Sequence, residues 1–507
     1  SSLNGIINNP LFEMKYKIND AHFKLKNIPF KLSNISMNGD LSNGNKRNMS
    51  STQINVKKLK AKSNNGYLNG SFQLSNLNNY YLTTQLSSLW DLNEVNSYFK
   101  DSPFINLKGE LKANTFYQGG ISFDKRFKKL FLKGMHTSNT KFKNVSFNYI
   151  DLPFDFTIDY ADCEFEKNNT KFNDSKLTIS ETDINFKGNI TDLIGYILKQ
   201  KNSINIEGNT QSTYTNFSEL IKFNDIPNKE NDRVFPEWLD LNTSINITNF
   251  AYNNFVSSDL KGNILYNNSK LKGNSINANT LNGNISGNFI FSESDNKDIK
   301  LVSQVNAQGI NIRNSFDAFN NYGQNFIKPD ELKGVGSAEL NIEVHWKPKF
   351  ILDENKLKIK SHLIIEQGEL IDFKPLESLS SYVSIEELKH VKFSTLENTI
   401  SVENKIINIP NMEIKSSAIS LFLSGTHTFN QEINYEIKLL LSELLSNSFR
   451  KENTKNTEFG ILEENGKIFN TVYLKMTGNT DNPKISLNKI RFMEDLSKGI
   501  KKEKKDI

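Results

Sequence analysis

Cys163 is the only cysteine among 507 residues, which excludes an internal disulfide and any metal cage built from cysteine thiolates. A lone cysteine suits a cytoplasmic chain and equally a periplasmic one that has no disulfide here. Long apolar runs are missing too. The longest cluster, IKLLLSELL at 437–445, alternates into polar positions and falls short of the about 18 apolar residues a membrane-crossing helix needs. Apolar residues make up only 37% of the chain and mean hydropathy is −0.52, which argues against ordinary compact packing. Neither sign of charge dominates. The 62 Lys and Arg are interspersed with 57 Asp and Glu, leaving +5, so there is no basic stripe of the nucleic-acid kind.

Catalytic motifs are equally scarce. The six histidines (His22, His136, His345, His362, His390, His427) show neither HExxH nor HxH spacing, so no metal site is expected. Gly334 and Gly336 begin a GxGxxG-like string, but Glu339 stands where the third glycine would be, and a strand start fits better. There is no GxxxxGK[ST] phosphate loop and no GxSxG elbow. The carboxylates Asp151 and Asp155, or Glu386 and Glu387, lie in exposed-looking patterns. The expectation is a protein without enzymatic activity and without a cofactor.

Against these absences stand 36 Phe and 16 Tyr, an aromatic share of 11% that is too rich for a disordered chain. Abundant Asn, Ser and Thr beside Phe and Ile suit strands with one wet face. From Leu363 to Leu445 apolar residues recur at every second position: Ile407 and Ile409, Met412 and Ile414, Ile419, Leu421 and Leu423, then Ile433, Tyr435, Ile437, Leu439 and Leu441. Period two is the mark of a half-buried strand, and the turn residues between runs predict an antiparallel meander. A short helix is expected to start at Pro375 and run through Leu388. Upstream, Phe12 to Gln73 reads as strands.

Four further helices are expected. The first lies over LSSLWDLNEVNSYFKD (86–101) with Ser87 or Ser88 as N-cap; the others fall within 191–200, 213–223 and 312–326. A recurring unit, apolar–x–Gly–x followed by an alternating strand, appears around Gly109, Gly188, Gly208, Gly262, Gly273, Gly283, Gly334, Gly425 and Gly478. Its glycines are expected at bulges or tight bends. Loops fall at 226–240, with Pro227 and Pro236, and at 345–356 around Pro348. The organisation expected is an N-terminal β-rich part (1–227), a middle β-repeat segment (228–332), a C-terminal region (333–488) and a solvated charged tail (489–507).

So many amphipathic strands have three ways to treat their apolar face. They can pair as a sandwich, close as a barrel, or curl into an open trough lined with Ile, Leu, Phe and Val. The first two bury the face in protein. The third leaves a large apolar surface, which usually marks a ligand or membrane site.

In order, the C-terminal stretch carries Gly368 to Leu370, Pro375 with Leu376, Glu387 with Leu388, Val391 to Phe393, Ile409 with Pro410, Ile414 to Ser417, Leu423 to Phe429 and Ile433 to Ile437. This succession resembles the C-terminal region of AsmA-like proteins of the Gram-negative envelope, over roughly Lys333 to Leu487. The resemblance implies the third arrangement: mainly β, a long curled antiparallel sheet forming an open apolar trough of the bridge-like lipid-transfer type, with a few short helices. It implies movement or shielding of phospholipids between inner and outer membranes. The alternatives are an assembly scaffold for outer-membrane biogenesis, and a carbohydrate-binding surface protein. It also implies a periplasmic location, anchored in the inner membrane by an N-terminal helix ahead of Ser1. The expected partners are phospholipid acyl chains, the two membranes and other envelope proteins, with no nucleic acid. The groove-lining candidates are Ile407, Ile409, Ile419, Leu421, Leu423, Ile433, Tyr435, Ile437 and Leu439. His427, in the Gly-Thr-His-Thr-Phe segment, reads as structural.

Overall fold

The computed structural model describes residues 10–24, 31–97, 102–122, 127–150, 152–220, 236–323, 327–373, 385–417, 421–440, 463–464, 467–468, 471–480 and 482–488. The fold is mainly β, an open, curled antiparallel sheet; 25 of the described strands are hydrogen-bonded in this way. Helices are few and short, the longest α-helices among the described residues having 7 residues. None is long and apolar enough to cross a membrane.

Backbone contacts divide the chain into two compact units. One comprises Ser1–Phe250 with Asn263–Ser269, the other Ala251–Gly262 with Lys270–Ile507. In the first, the strands from Glu13–Lys24 to Ile204–Asn216 each pair with the next in sequence. Cross-strand aromatics knit this ladder: Phe147 lies opposite Phe156 with the rings stacked 5.0 Å apart, and Phe104 meets Phe147 edge-on at 5.2 Å. Cys163, opposite Thr140, is fully buried, and burial pushes its thiol up to about 12.

The second unit repeats the meander from Lys270–Thr280 through Lys484–Leu487. Two apolar clusters mark one face of it. The first joins Ile312, Leu332, Ile365 and Phe393; the second joins Leu388 to Leu421, Tyr435, Ile437, Leu439 and Leu474.

The expected helix at 86–101 begins later than its periodicity suggests. Residues Tyr81–Asp91 form a strand, in which Ser87 faces Asn114 and Ser88 faces Ala113. Only Leu92–Asn96 is helical, and its cap is Asp91, whose carboxylate accepts from the Asn93 and Glu94 N–H groups at 2.9 and 3.2 Å. Ladder pairing on both sides of the Tyr81 strand outweighs the local helical spacing. The other helices are shorter than predicted: Leu193–Ile197, Phe217–Leu220 and Ile312–Ala318, each at the end of a strand. The Pro348 loop holds two 3-10 turns around a two-residue strand, Ile351–Leu352. Of the helix expected from Pro375, the described part is Ile385–Lys389. Pro227 and the tail from Lys489 lie outside the described residues.

Strands of 12 to 17 residues need bulges to stay curved. Register breaks fall beside Gly109, Gly273 and Gly334, as the recurring glycine unit predicts. Polar residues serve equally well. Asp20, Asn34, Asn106 and Ser275, with φ between 52° and 55°, occupy the left-handed conformation inside register breaks, and Asn and Asp tolerate that conformation better than most residues. Gly368 has a different task. It lies opposite Phe393, and a Cβ there would sit 1.9 Å from the Phe393 ring, which folds across the glycine into the core. Gly368→Ala is expected to destabilise the fold by about 1–3 kcal/mol through overpacking. Chemical denaturation measures this loss, and adding Phe393→Leu should recover part of it.

Candidate functional site

Alternation carries one face of the second unit's sheet inward strand by strand. On Leu332–Lys347 the residues are Gly336, Ala338, Leu340 and Ile342. Opposite them stand Val305 and Ala307 on one neighbour, and Ser361, Leu363 and Ile365 on the other. Together with residues from His390–Glu403, Ile406–Ile414, Leu421–Thr428, Glu432–Leu440 and Thr471–Asn479, they enclose a cavity of about 1040 Å³. That is at the top of the range for small-molecule sites, about 300–1,000 Å³.

The wall is mostly apolar, and two of its hydroxyls are engaged locally. The Ser361 hydroxyl donates to the Ile400 carbonyl at 3.1 Å, and the Ser315 hydroxyl to the Ile312 carbonyl at 2.7 Å. Burial raises the Tyr435 phenol to about 12. One end is closed by the helix Ile312–Ala318 and the turn after it. Asn311 caps this helix, its side-chain oxygen accepting from the Asn314 N–H at 3.0 Å. Phe319 stacks on Phe255 and on Tyr322 at 5.6 and 5.5 Å, while Phe316 meets Tyr322 edge-on. The polar side chains of Asn253, Asn254 and Asn320 stand in the wall at this end.

The opposite face is laced with ions. Glu343 pairs with Lys300 and His345, Lys358 with Glu403, His362 with Glu397, and Glu369 with His390 and Lys333. Hydrogen bonds from the His345 ring and then from Lys300 hold the Glu343 carboxyl below its ordinary value. Such exposed pairs contribute about 0–1 kcal/mol each; they keep that face wet. Among the described residues no three His, Cys, Asp or Glu side chains gather as a metal-binding group.

Of the nine groove candidates, Ile409, Leu421, Leu423, Tyr435 and Ile437 stand in the cavity wall. Register aligns them on one face: Ile409 opposite Gly425, Leu421 opposite Leu439, Leu423 opposite Ile437, Gly425 opposite Tyr435. Ile433 and Leu439 share that face but are packed, in the cluster that includes Leu388, rather than lining the cavity. Ile407 is half-buried, opposite His427, and outside the wall. Ile419 lies outside the described residues. The upstream half of the wall, from Ile285 through Ile365, and the aromatic end were missed. The alternation at Val305 and Ala307, and at Ala338, Leu340 and Ile342, was available as a signal.

Packed and open parts of this face should respond differently to truncation. Leu439→Ala, at a site with 0% exposure, is expected to cost about 2–5 kcal/mol. Leu340→Ala, which faces the cavity, should cost about 1 kcal/mol; equal losses in denaturation would mean the cavity is filled. His427 is buried on Leu421–Thr428, and desolvation lowers its pKa below 6.5. Folding therefore disfavours the imidazolium, so stability is full above pH 6.5 and declines as pH falls from there toward the folded value. A melting-temperature series from pH 8 to 5 should show that decline, and His427→Gln should reduce it.

Comparison of the chain with protein-family models, with curated proteins and with solved structures gives no match.

Proposed function

We propose that the trough of the second unit receives the acyl chains of lipids, and that the protein is a non-enzymatic component of a Gram-negative envelope that shields or moves phospholipids between the inner and outer membranes. The observation that carries this reading is the cavity of about 1040 Å³ with its mostly apolar wall, in which the Ser361 and Ser315 hydroxyls donate to backbone carbonyls. Such a wall offers a polar ligand no free hydroxyl donor from Ser361 or Ser315, and offers an alkyl chain extensive apolar contact. Each methylene moved from water contributes about 0.8 kcal/mol, so ten contribute about 8 kcal/mol before the cost of association. The binding would be passive, with direction imposed by the membranes or by other envelope proteins. The C-terminal resemblance to AsmA-like proteins points the same way.

One observation favours a second reading, an assembly scaffold whose apolar face is covered by protein. Ile433, Tyr435, Ile437 and Leu439 are buried in the cluster with Leu388, so this end of the face is already packed.

Mass spectrometry of lipids co-purifying with the chain from a Gram-negative periplasm separates the two readings. Ala307 and Ala338 face each other across two strands in the cavity wall. The double variant Ala307→Trp, Ala338→Trp fills the trough without introducing charge. Phospholipid is expected with the native chain and should be several-fold depleted from the variant at unchanged circular dichroism. Background levels in both would favour the scaffold.

A further inference from the structure

We infer that the hairpin tip at 346–352 is a membrane-contacting lip of the trough, inserting into the surface of an anionic bilayer. The inference extends the acyl-chain reading by assigning where lipid meets the protein. Its starting point is the alternation on Leu332–Lys347. The side chains that line the cavity, Ala338, Leu340 and Ile342, are followed on the same face by Val344 and Trp346. The apolar face of this strand therefore runs out of the cavity wall to the tip.

At the tip the chain does what soluble loops avoid. Ile351 is 60% exposed, Leu352 43% and Phe350 42%, contiguous apolar side chains turned to solvent where turns usually carry polar residues. Phe350 adopts φ of 56°, a left-handed conformation that is rare and costly for a bulky aromatic residue. The backbone holds this conformation because the two-residue strand Ile351–Leu352 pairs back on Lys347 and Trp346, and the Asp353 N–H donates to the His345 carbonyl at 2.8 Å. Phe291, Trp346 and Phe350 form an aromatic group with ring centres 5.5 to 6.3 Å apart. The geometry presents apolar side chains outward on a rigid aromatic base.

Charge identifies the occupant. The sequence places Lys347 and Lys349 around Pro348, directly beside Phe350 and Ile351. Lys347 is exposed, and none of the ion pairs among the described residues uses it. The acidic Asp353 and Glu354 pair with Lys356 and Lys405 at 3.5 and 3.0 Å, which leaves Lys347 unopposed by them at the tip. Tryptophan, phenylalanine and aliphatic side chains flanked by lysine are the composition that settles at the headgroup–acyl boundary. Aromatic rings seat at that level and lysines meet anionic headgroups.

The test uses the full chain with vesicles of phosphatidylglycerol and phosphatidylcholine carrying brominated acyl chains. Trp346 is one of three tryptophans, so Trp90→Phe with Trp238→Phe leaves it as sole reporter; co-sedimentation of the unmodified chain needs no such background. Quenching of Trp346 by bromines near the headgroups is expected. Partition onto the anionic vesicles should fall about tenfold or more in Ile351→Glu, Leu352→Glu, and by a smaller factor, with reduced salt sensitivity, in Lys347→Glu. Native and variant chains partitioning alike would overturn the inference. So would a self-association of the native chain that Ile351→Glu abolishes while vesicles remain unbound, since the tip would then meet a second copy. Binding of a fluorescent fatty acid is measured on the same variants. It should survive the tip substitutions, and its absence from the native chain would sink the trough reading while leaving the vesicle result to stand or fall alone.

Discussion

The alternation of side chains across an extended backbone is the constraint on which the second unit depends. A ladder of antiparallel strands satisfies its own N–H and C=O groups through its neighbours, so hydrogen bonding asks nothing of either face. Hydrophobicity then decides what each face does. Here one face carries the Lys300–Glu343, Lys358–Glu403 and Glu369–His390 pairs, and the other carries Ala307, Ala338, Leu340, Leu363 and Leu423. An ordinary sandwich would bury the second face under another sheet. In the second unit, packing is completed at the ends instead, by Ile312–Ala318 with its aromatic neighbours and by Leu388 against Tyr435, Ile437 and Leu439. Between them the apolar face of the sheet lines the cavity.

Much of this was legible in the chain. Period-two runs read as strands, and the register of Leu423 with Ile437 and of Gly425 with Tyr435 puts five of the groove candidates into one wall. Residues that stand apart along this C-terminal stretch are contact partners across the ladder. Gly368 accommodates the Phe393 ring, Leu370 faces Val391, and Gly425 yields space to Tyr435. Other features are invisible to local pattern. Leu86, Leu89 and Trp90 fit helical spacing as well as a strand, and only pairing with Phe104–Gly120 and Tyr67–Ser75 decides. Nor does alternation distinguish Leu439, fully buried, from Leu423, half-exposed in the wall; that depends on what lies over each.

Asparagine abundance has a similar double character. Part of it sits at turns and on wet faces, but Asn34 and Asn106 occupy left-handed positions inside register breaks. There the side chain's tolerance of positive φ supplies curvature that glycine would supply at greater entropic cost to the folded chain. A composition that reads as merely polar is thus partly a device for bending long strands.

Among the described residues the long strands of each unit pair mostly with the next long strand along the chain. The energetics of such a ladder are close to one-dimensional: a perturbation is felt by the adjoining strands and fades beyond them. Contacts are local along the chain, so a new hairpin can be spliced in at a turn without disturbing distant pairings. Each added pair of strands would lengthen the apolar wall by about 10 Å, and capacity would therefore change by duplication or loss of hairpins rather than by redesign of the wall.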